Sequence, residues 1–275
     1  MNPAPLAVRT YGTTGPDVFV LHGGPAAAGN AAPIARELGA SFCAIEPFQR
    51  GSGDTPLTVE RHIADLHDLI ARRCAQSPPA LVGESWGAML ALCYAAAHPE
   101  FRGPLALIGC GTFDHNTRSV FERTLRERMS PSTQARIDAL HRHSDSPDSI
   151  KEMIELTLPH YAFSALPHDE HTAETSPPFD MRAHRETWND MLRLQRAGRY
   201  PAAFSAIRSP VLMMHGDYDP HPGPLIRDSL RPFIPHLEYY RMTRCGHEPW
   251  RERYARDFFF ATLAEWLAVH TARRA

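Results

Sequence analysis

The chain has 275 residues, 43% of them hydrophobic and 22% charged, with a formal net charge of −2. That length and apolar share suit one large domain, or one domain carrying an insertion, around a real core. The near-neutral balance excludes a general nucleic-acid binder, and no apolar run reaches the ~20 residues that span a bilayer.

Five cysteines, Cys43, Cys74, Cys93, Cys110 and Cys245, form no C-x-x-C pair. Several sit in apolar runs and read as buried thiols of a reducing compartment. Residues 1–11 carry no secretory pattern, so the expected location is the cytoplasm.

Short apolar runs alternate with helical stretches along the chain. Residues 6–10 read as an edge strand, and 17–21 (DVFVL) as a buried strand running into His22-Gly23-Gly24-Pro25. Residues 41–45, 80–83, 105–108, 211–214 and 237–242 read as further strands. Continuous apolar runs mark strands buried on both faces, so the pattern predicts an α/β fold with a mostly parallel sheet flanked by helices. Residues 86–97 are apolar nearly all round and predict a buried helix closed by His98-Pro99. From about Phe113 to Ser205 the alternation stops, with Arg, Glu and His mixed among scattered Leu, Met and Trp. This stretch predicts a helical insertion over residues 113–205, dividing the core into 1–112 and 206–275. Its inner faces would cover the C-terminal edge of the sheet, where open α/β sheets bind ligands. Beyond it, Phe259, Thr262, Leu263, Trp266, Leu267 and His270 fall on one face of a C-terminal helix.

The chemistry centres on Gly83-Glu84-Ser85-Trp86-Gly87, a G-x-S-x-G between an apolar strand and a helix. That context predicts Ser85 on a sharp, strained turn with its hydroxyl outward as a nucleophile. The plainer alternative is a serine that only tightens the turn. A serine hydroxyl needs a base. Among the 16 histidines, His247 stands just after the last strand and before the C-terminal helix, where a base can reach over the sheet. The run from His247 to Arg251 lacks the second His of H-E-x-x-H, and Pro249 would break that helix, so no metal is expected. The base needs a buried acid to hold its tautomer. His215-Gly216-Asp217-Tyr218-Asp219 offers two, and the spacing of three after the glycine selects Asp219. Asp217 then reads as a loop-capping residue. Oxyanion donors are expected from the backbone N–H of Trp86 at the helix start and that of Gly24.

These motifs together make the chain resemble the α/β-hydrolase superfamily and, within it, the proline iminopeptidase branch. The resemblance rests on H-G-G-P at His22, Q-R-G-S-G from Gln49 to Gly53, G-x-S-W-G with its long helix ending His98-Pro99-Glu100, and the G-x-x-D and G-H pairs. It covers about Leu6 to Cys110 and Val211 to Leu267, and implies an α/β-hydrolase fold with a helical cap. The chain departs from the branch at Ala26, where a glycine is expected, at Phe48 for an aspartate, and at Glu84 for a glycine.

Glu84 offers a carboxylate beside the nucleophile that can hold a substrate amine. The plainer reading turns it onto an arginine or a backbone N–H, because a nearby negative charge opposes an oxyanion. Arg50 reads as a loop anchor. Recognition of a free amine also needs carboxylates in the insertion, with Glu152, Glu155, Glu170 and Glu174 as candidates. His168-Asp169-Glu170-His171 reads as a solvated loop, not a metal site. The expected function is hydrolysis of a small carboxylic ester or amide through an acyl-enzyme, without a cofactor. The alternatives are a proline iminopeptidase-like aminopeptidase acting on short peptides, and a catalytically silent binding protein on the same fold.

Overall fold

The computed structural model describes residues 5–74, 77–143, 146–167 and 176–272. Its elements in chain order begin β1 (Val8–Tyr11), β2 (Asp17–Leu21), α1 (Ala32–Leu38), β3 (Cys43–Pro47), α2 (Val59–Arg73), β4 (Ala80–Glu84), α3 (Trp86–Ala97) and β5 (Leu105–Ile108). Four helices follow without a strand among the described residues: α4 (His115–Glu127), α5 (Pro131–His143), α6 (Pro147–Thr157) and α7 (Met181–Arg196). The chain then returns through β6 (Val211–Gly216), α8 (Gly223–Leu230), β7 (Glu238–Met242) and α9 (Arg256–Ala272).

One seven-stranded sheet takes the order β1-β3-β2-β4-β5-β6-β7. Every pairing is parallel except the edge pair, where β1 runs antiparallel to β3 with Val8 opposite Pro47. The central strands β4, β5 and β6 are buried at every residue, which is why they stand in the sequence as unbroken apolar runs. β7 carries only one fully buried residue, Met242, as suits the opposite edge.

The core lies on both faces of the sheet. On one face α2, α3 and α8 bring Leu66, Leu69, Met89, Leu92 and Ile226 against Phe19, Leu81, Leu107 and Met213. On the other, α1 and α9 bring Ile34, Leu38, Phe259, Leu263 and Trp266 against Val18, Val82, Ile108 and Met214. Each such side chain contributes roughly 1.5–3 kcal/mol on burial. The α3 sequence has no polar face because sheet, α2 and the 202–206 turn enclose it.

Two sets of carboxylate bonds help fasten the helices between β5 and β6 to this core. Asp180, Glu186 and Asp190, at the start of α7 and along it, accept the backbone N–H groups of Ser52, Leu57 and Val59 at 2.8, 2.9 and 2.9 Å. Val59 is the first residue of α2, so the Asp190 carboxylate also meets the positive end of that helix. Glu252 provides the second anchor. Its buried carboxylate accepts the N–H groups of Phe163 and Ser164 at 2.7 Å each and that of Gly246 at 2.8 Å. It thereby joins the segment after α6 to the residue preceding His247. Glu252→Ala would strand three N–H donors and should cost about 3 kcal/mol or more of stability. Urea denaturation measures this, and a cost within the scatter of surface substitutions would refute the anchor.

Candidate active site

The turn after β4 follows from its glycines. A Cβ on Gly83 would stand 2.3 Å from the Gly87 carbonyl, and one on Gly87 would stand 2.1 Å from the Leu21 oxygen. Only glycine lets strand and helix approach so closely. Between them Ser85 is held at φ 52°, ψ −113°, a region that costs a non-glycine residue about 1–3 kcal/mol. Its N–H donates to the Ile108 carbonyl at 2.8 Å, which ties the turn to the end of β5. The Ser85 residue is half-buried, and its hydroxyl makes no hydrogen bond among the described residues.

The two aspartates after β6 are separated by the fold. Asp217 lies toward the surface, 3.7 Å from Arg241. Asp219 is buried and surrounded by imidazoles. Its Oδ2 meets His247 Nδ1 at 2.7 Å and His215 Nε2 at 3.1 Å. Its Oδ1 accepts both the N–H and the Nδ1 of His221, at 2.9 and 3.0 Å. Burial alone would push this carboxyl up, but the charges of His247, His215 and His221 and the bond from His215 hold it well below the usual carboxylate range.

His247 follows β7, and its own N–H is fixed to the Tyr161 carbonyl at 2.9 Å. Its ring lies over Gly109, where a Cβ would come within 3.0 Å of both Cε1 and Nδ1. Gly109 directly follows Ile108, the residue that holds the Ser85 N–H. Burial would lower the His247 pKa, but Asp219, by charge and hydrogen bond, together with Glu84 and Glu248, raises it to about 9. A base must be neutral to accept a proton, so the acid limb of kcat/KM should lie above pH ~6.5, the ordinary histidine value.

Glu84 meets no arginine among the described residues. It turns into the core and accepts the Gly23 N–H at 2.5 Å. Burial and the Glu248 charge push it up to about 7, against the opposing pull of His247 and the Gly23 N–H. As one of the carboxylates that retain the His247 proton, it makes a signed prediction. Glu84→Gln should move the acid limb of kcat/KM to lower pH, and a limb moving upward or staying in place would contradict this coupling.

The turn facing Ser85 is braced by Gln49, whose side chain spans two elements. Its Nε2 donates to the His22 carbonyl at 2.8 Å, and its Oε1 accepts from the Trp86 indole at 2.7 Å. Its backbone N–H donates to His22 Nε2 at 3.1 Å, so that nitrogen is the acceptor and Nδ1 carries the proton toward the Gly23 carbonyl. Burial accordingly brings the His22 pKa down to about 4. With the Gly23 N–H committed to Glu84, Gly24 lies next along the turn, exposed and at φ 113°. Trp86, the other expected oxyanion donor, begins α3 directly after Ser85.

The other expected residues stand apart from this cluster. Arg50 anchors its loop, with Nε and Nη2 at 2.7 and 2.8 Å from the Asp65 carboxylate on α2. Glu152 forms a bidentate pair with Arg136 at 2.6 and 2.7 Å on the surface. Glu155 is exposed, 3.8 Å from Lys151. Glu170, Glu174 and the His168–His171 motif lie outside the described residues. Gln49 and His215 stand in motifs quoted above for other reasons, His221 and Glu252 stand in none, and all four hold parts of the cluster.

Asp219, His221 and His247 bring one carboxylate oxygen and two ring nitrogens within 4.8 Å of one another, ligand types that suit zinc. The two rings are stacked at 25°, however, and their Nδ1 atoms run side by side to different oxygens. They do not converge on one point, so the donor set fits a doubly bonded carboxylate better than a cation.

A family model for the alpha/beta hydrolase fold matches residues 16–254. A pimeloyl-[acyl-carrier protein] methyl ester esterase of Chromobacterium violaceum is 34% identical over 132 residues, which is 48% of this chain and 47% of that enzyme. The match thus spans about half the length of that relative. Among solved structures, a thermophilic esterase from Thermogutta terrifontis superposes with a TM-score of 0.63 at 22% identity, covering 97% of this chain and 94% of the other. A haloalkane dehalogenase variant from Bradyrhizobium elkanii gives 0.67 at 19% identity over 98% and 94%. At such identities the structural likeness speaks for the fold alone, and the iminopeptidase branch is not singled out. No helix among the described residues is long and apolar enough to cross a membrane.

Proposed function

The chain belongs to the α/β-hydrolase fold family, and on that premise we propose that it is a serine esterase cleaving a small, neutral carboxylic ester. Ser85 attacks the carbonyl, His247 takes its proton and returns it to the leaving alcohol, and Asp219 orients the imidazole and stabilises its charged form. The N–H groups of Gly24 and Trp86 receive the oxyanion. Water then resolves the acyl-enzyme by the same proton path. The helices α4–α7 serve as a cap, and the reaction calls for no cofactor.

The observation that carries this reading is the 2.7 Å pair between buried Asp219 and His247, whose ring lies over the residue following the one that holds Ser85. The choice of ester over N-terminal peptide rests on the carboxylates. A buried ammonium needs carboxylate partners. Of the candidates among the described residues, Glu152 and Glu155 are engaged at the surface, and Glu84 is spent on Gly23. The partial match to a methyl ester esterase adds support.

The test pairs p-nitrophenyl esters of rising acyl length with aminoacyl p-nitroanilides, including proline, compared by kcat/KM. Because esters are intrinsically easier to cleave, the deciding control is one amino acid's anilide with its amine free and blocked. The ester reading expects no preference for the free amine. A strong preference, lost on substituting Glu170 or Glu174, would make the chain an aminopeptidase.

A further inference from the structure

The Asp219 carboxylate is shared among three imidazoles, His247 and His215 on Oδ2 and His221 on Oδ1. His247 takes Oδ2, and the His221 ring and its backbone N–H both take Oδ1. The His221 ring stacks on His247 at 4.7 Å between centroids and 25° between planes. On its other face lies Phe121 of α4, at 4.1 Å and 12°. Tyr161 closes the edge of both histidines, at 5.9 Å from His221 and 5.3 Å from His247. A column of three rings thus runs from the inserted helices to the candidate base.

We propose that His221 is a positioning residue for the reaction: it pins the second oxygen of Asp219 and, stacked between Phe121 and His247, fixes the plane in which His247 exchanges its proton. This rests on the reading of His247 as the base.

Two features argue for a role beyond filling space. The loop bond to Oδ1 is already made by the His221 backbone N–H, which most residues could supply. The additional ring bond needs a side chain that donates at that place, and it adds a second hold on Oδ1 while His247 and His215 hold Oδ2. The second feature is charge. Turnover makes His247 an imidazolium, and a second charged ring stacked against it would oppose that step. His221 avoids this by staying neutral, since burial, against the pull of Asp219, brings its pKa down to about 4. The other ionisable groups acting on the pair are His215 beside Asp219, and Glu84 and Glu248 on the His247 side. None of these supplies the bond that His221 makes.

The test separates the ring from the hydrogen bond. His221→Phe keeps the stack and loses the donor, whereas His221→Asn keeps a donor near the same place and loses the stack. Both are assayed on a neutral p-nitrophenyl ester, with kcat and KM determined separately across pH and folding checked by thermal melting. Misplacement of the base should lower kcat by about 10-fold to 100-fold in both variants, with KM within about 2-fold. In His221→Phe the Asp219 charge is no longer shared with the second ring and acts more fully on His247. The acid limb of kcat/KM should therefore move to higher pH, and in His221→Asn it should stay near the wild-type position. A purely structural role would not divide the two variants in this way. Wild-type kcat with an unmoved limb in both, or a loss carried by KM alone, overturns the proposal. Should both variants fail to fold, Phe121→Ala tests the same column from its far end. A kcat reduced at least about 3-fold at unchanged KM supports the column, and unchanged kcat overturns it. His247→Ala is the control for the underlying reading: if it retains turnover, His247 is not the base and the proposal falls with that assignment, not through His221.

Discussion

Ser85→Ala is expected to abolish covalent labelling by a fluorophosphonate and to lower turnover by about 10⁴-fold or more, the scale on which loss of a triad nucleophile is felt. The expectation follows from the turn itself. Gly83 and Gly87 are packed too closely for any side chain, and Ser85 holds a positive φ between them. Alanine is as strained there as serine, so the variant should fold as wild type does, and the loss should be read in chemistry. Turnover within a few-fold of wild type would remove Ser85 from the mechanism. A wild-type chain that takes no label while remaining folded would favour the silent binding protein.

Asp219→Asn is expected to reduce kcat by about 10⁴-fold, by analogy with the corresponding substitution in another triad enzyme, where the wrong imidazole tautomer is stabilised. Here the substitution also disturbs His221 and His215, because the same carboxylate accepts from both. The variant should therefore melt earlier as well as turn over more slowly. Asp217→Asn is the matched control, since that side chain lies toward the surface beside Arg241. Its kcat should stay within about 2-fold, because surface substitutions away from special features usually have small effects. If the Asp217 variant is the slower of the two, the acid has been misassigned.

Much of the frame is legible in the sequence for a simple physical reason. Strands buried on both faces leave no room for polar residues, so β2 and β5 appear as runs with the observed bounds, and α3 as a helix without a polar side. The strands expected at residues 6–10 and 41–45 lie about two residues further on, at Val8–Tyr11 and Cys43–Pro47, because the edge pairing of β1 with β3 is set by register with Ala44 to Pro47 and not by an apolar run. The Ser85 turn is legible because its steric demand is local, within five residues. Asp219 and His247 are legible as neighbours of strand ends. What the sequence does not show is support from afar, even where the residue stands in a motif, as Gln49 does. Gln49 braces Trp86 from 37 positions away, and Glu252 reaches back 89 positions to Phe163. Neither distance leaves a spacing to recognise. His221 escaped because its use depends on a rotamer that puts its ring on Asp219, and a histidine in an Asp-Pro-His-Pro loop gives no sign of that.

The attachment of α7 bears on how a substrate enters. Its three carboxylates each hold a main-chain amide of the loop from Ser52 to Val59, so this helix moves with the sheet or not at all. Glu252 likewise pins Phe163 and Ser164 beside the loop of His247. Among the described residues the helices α4 to α6 are tied differently: α5 packs on α6, while α4 and the residue after it reach the rest of the chain through Arg118 on Gln195, Phe121 on the ring of His221 and Arg128 over Tyr218. On the esterase reading proposed above, the door of this site is hung most firmly on one side: α7 is its frame, and α4 is the leaf, with Phe121 resting against the ring of His221.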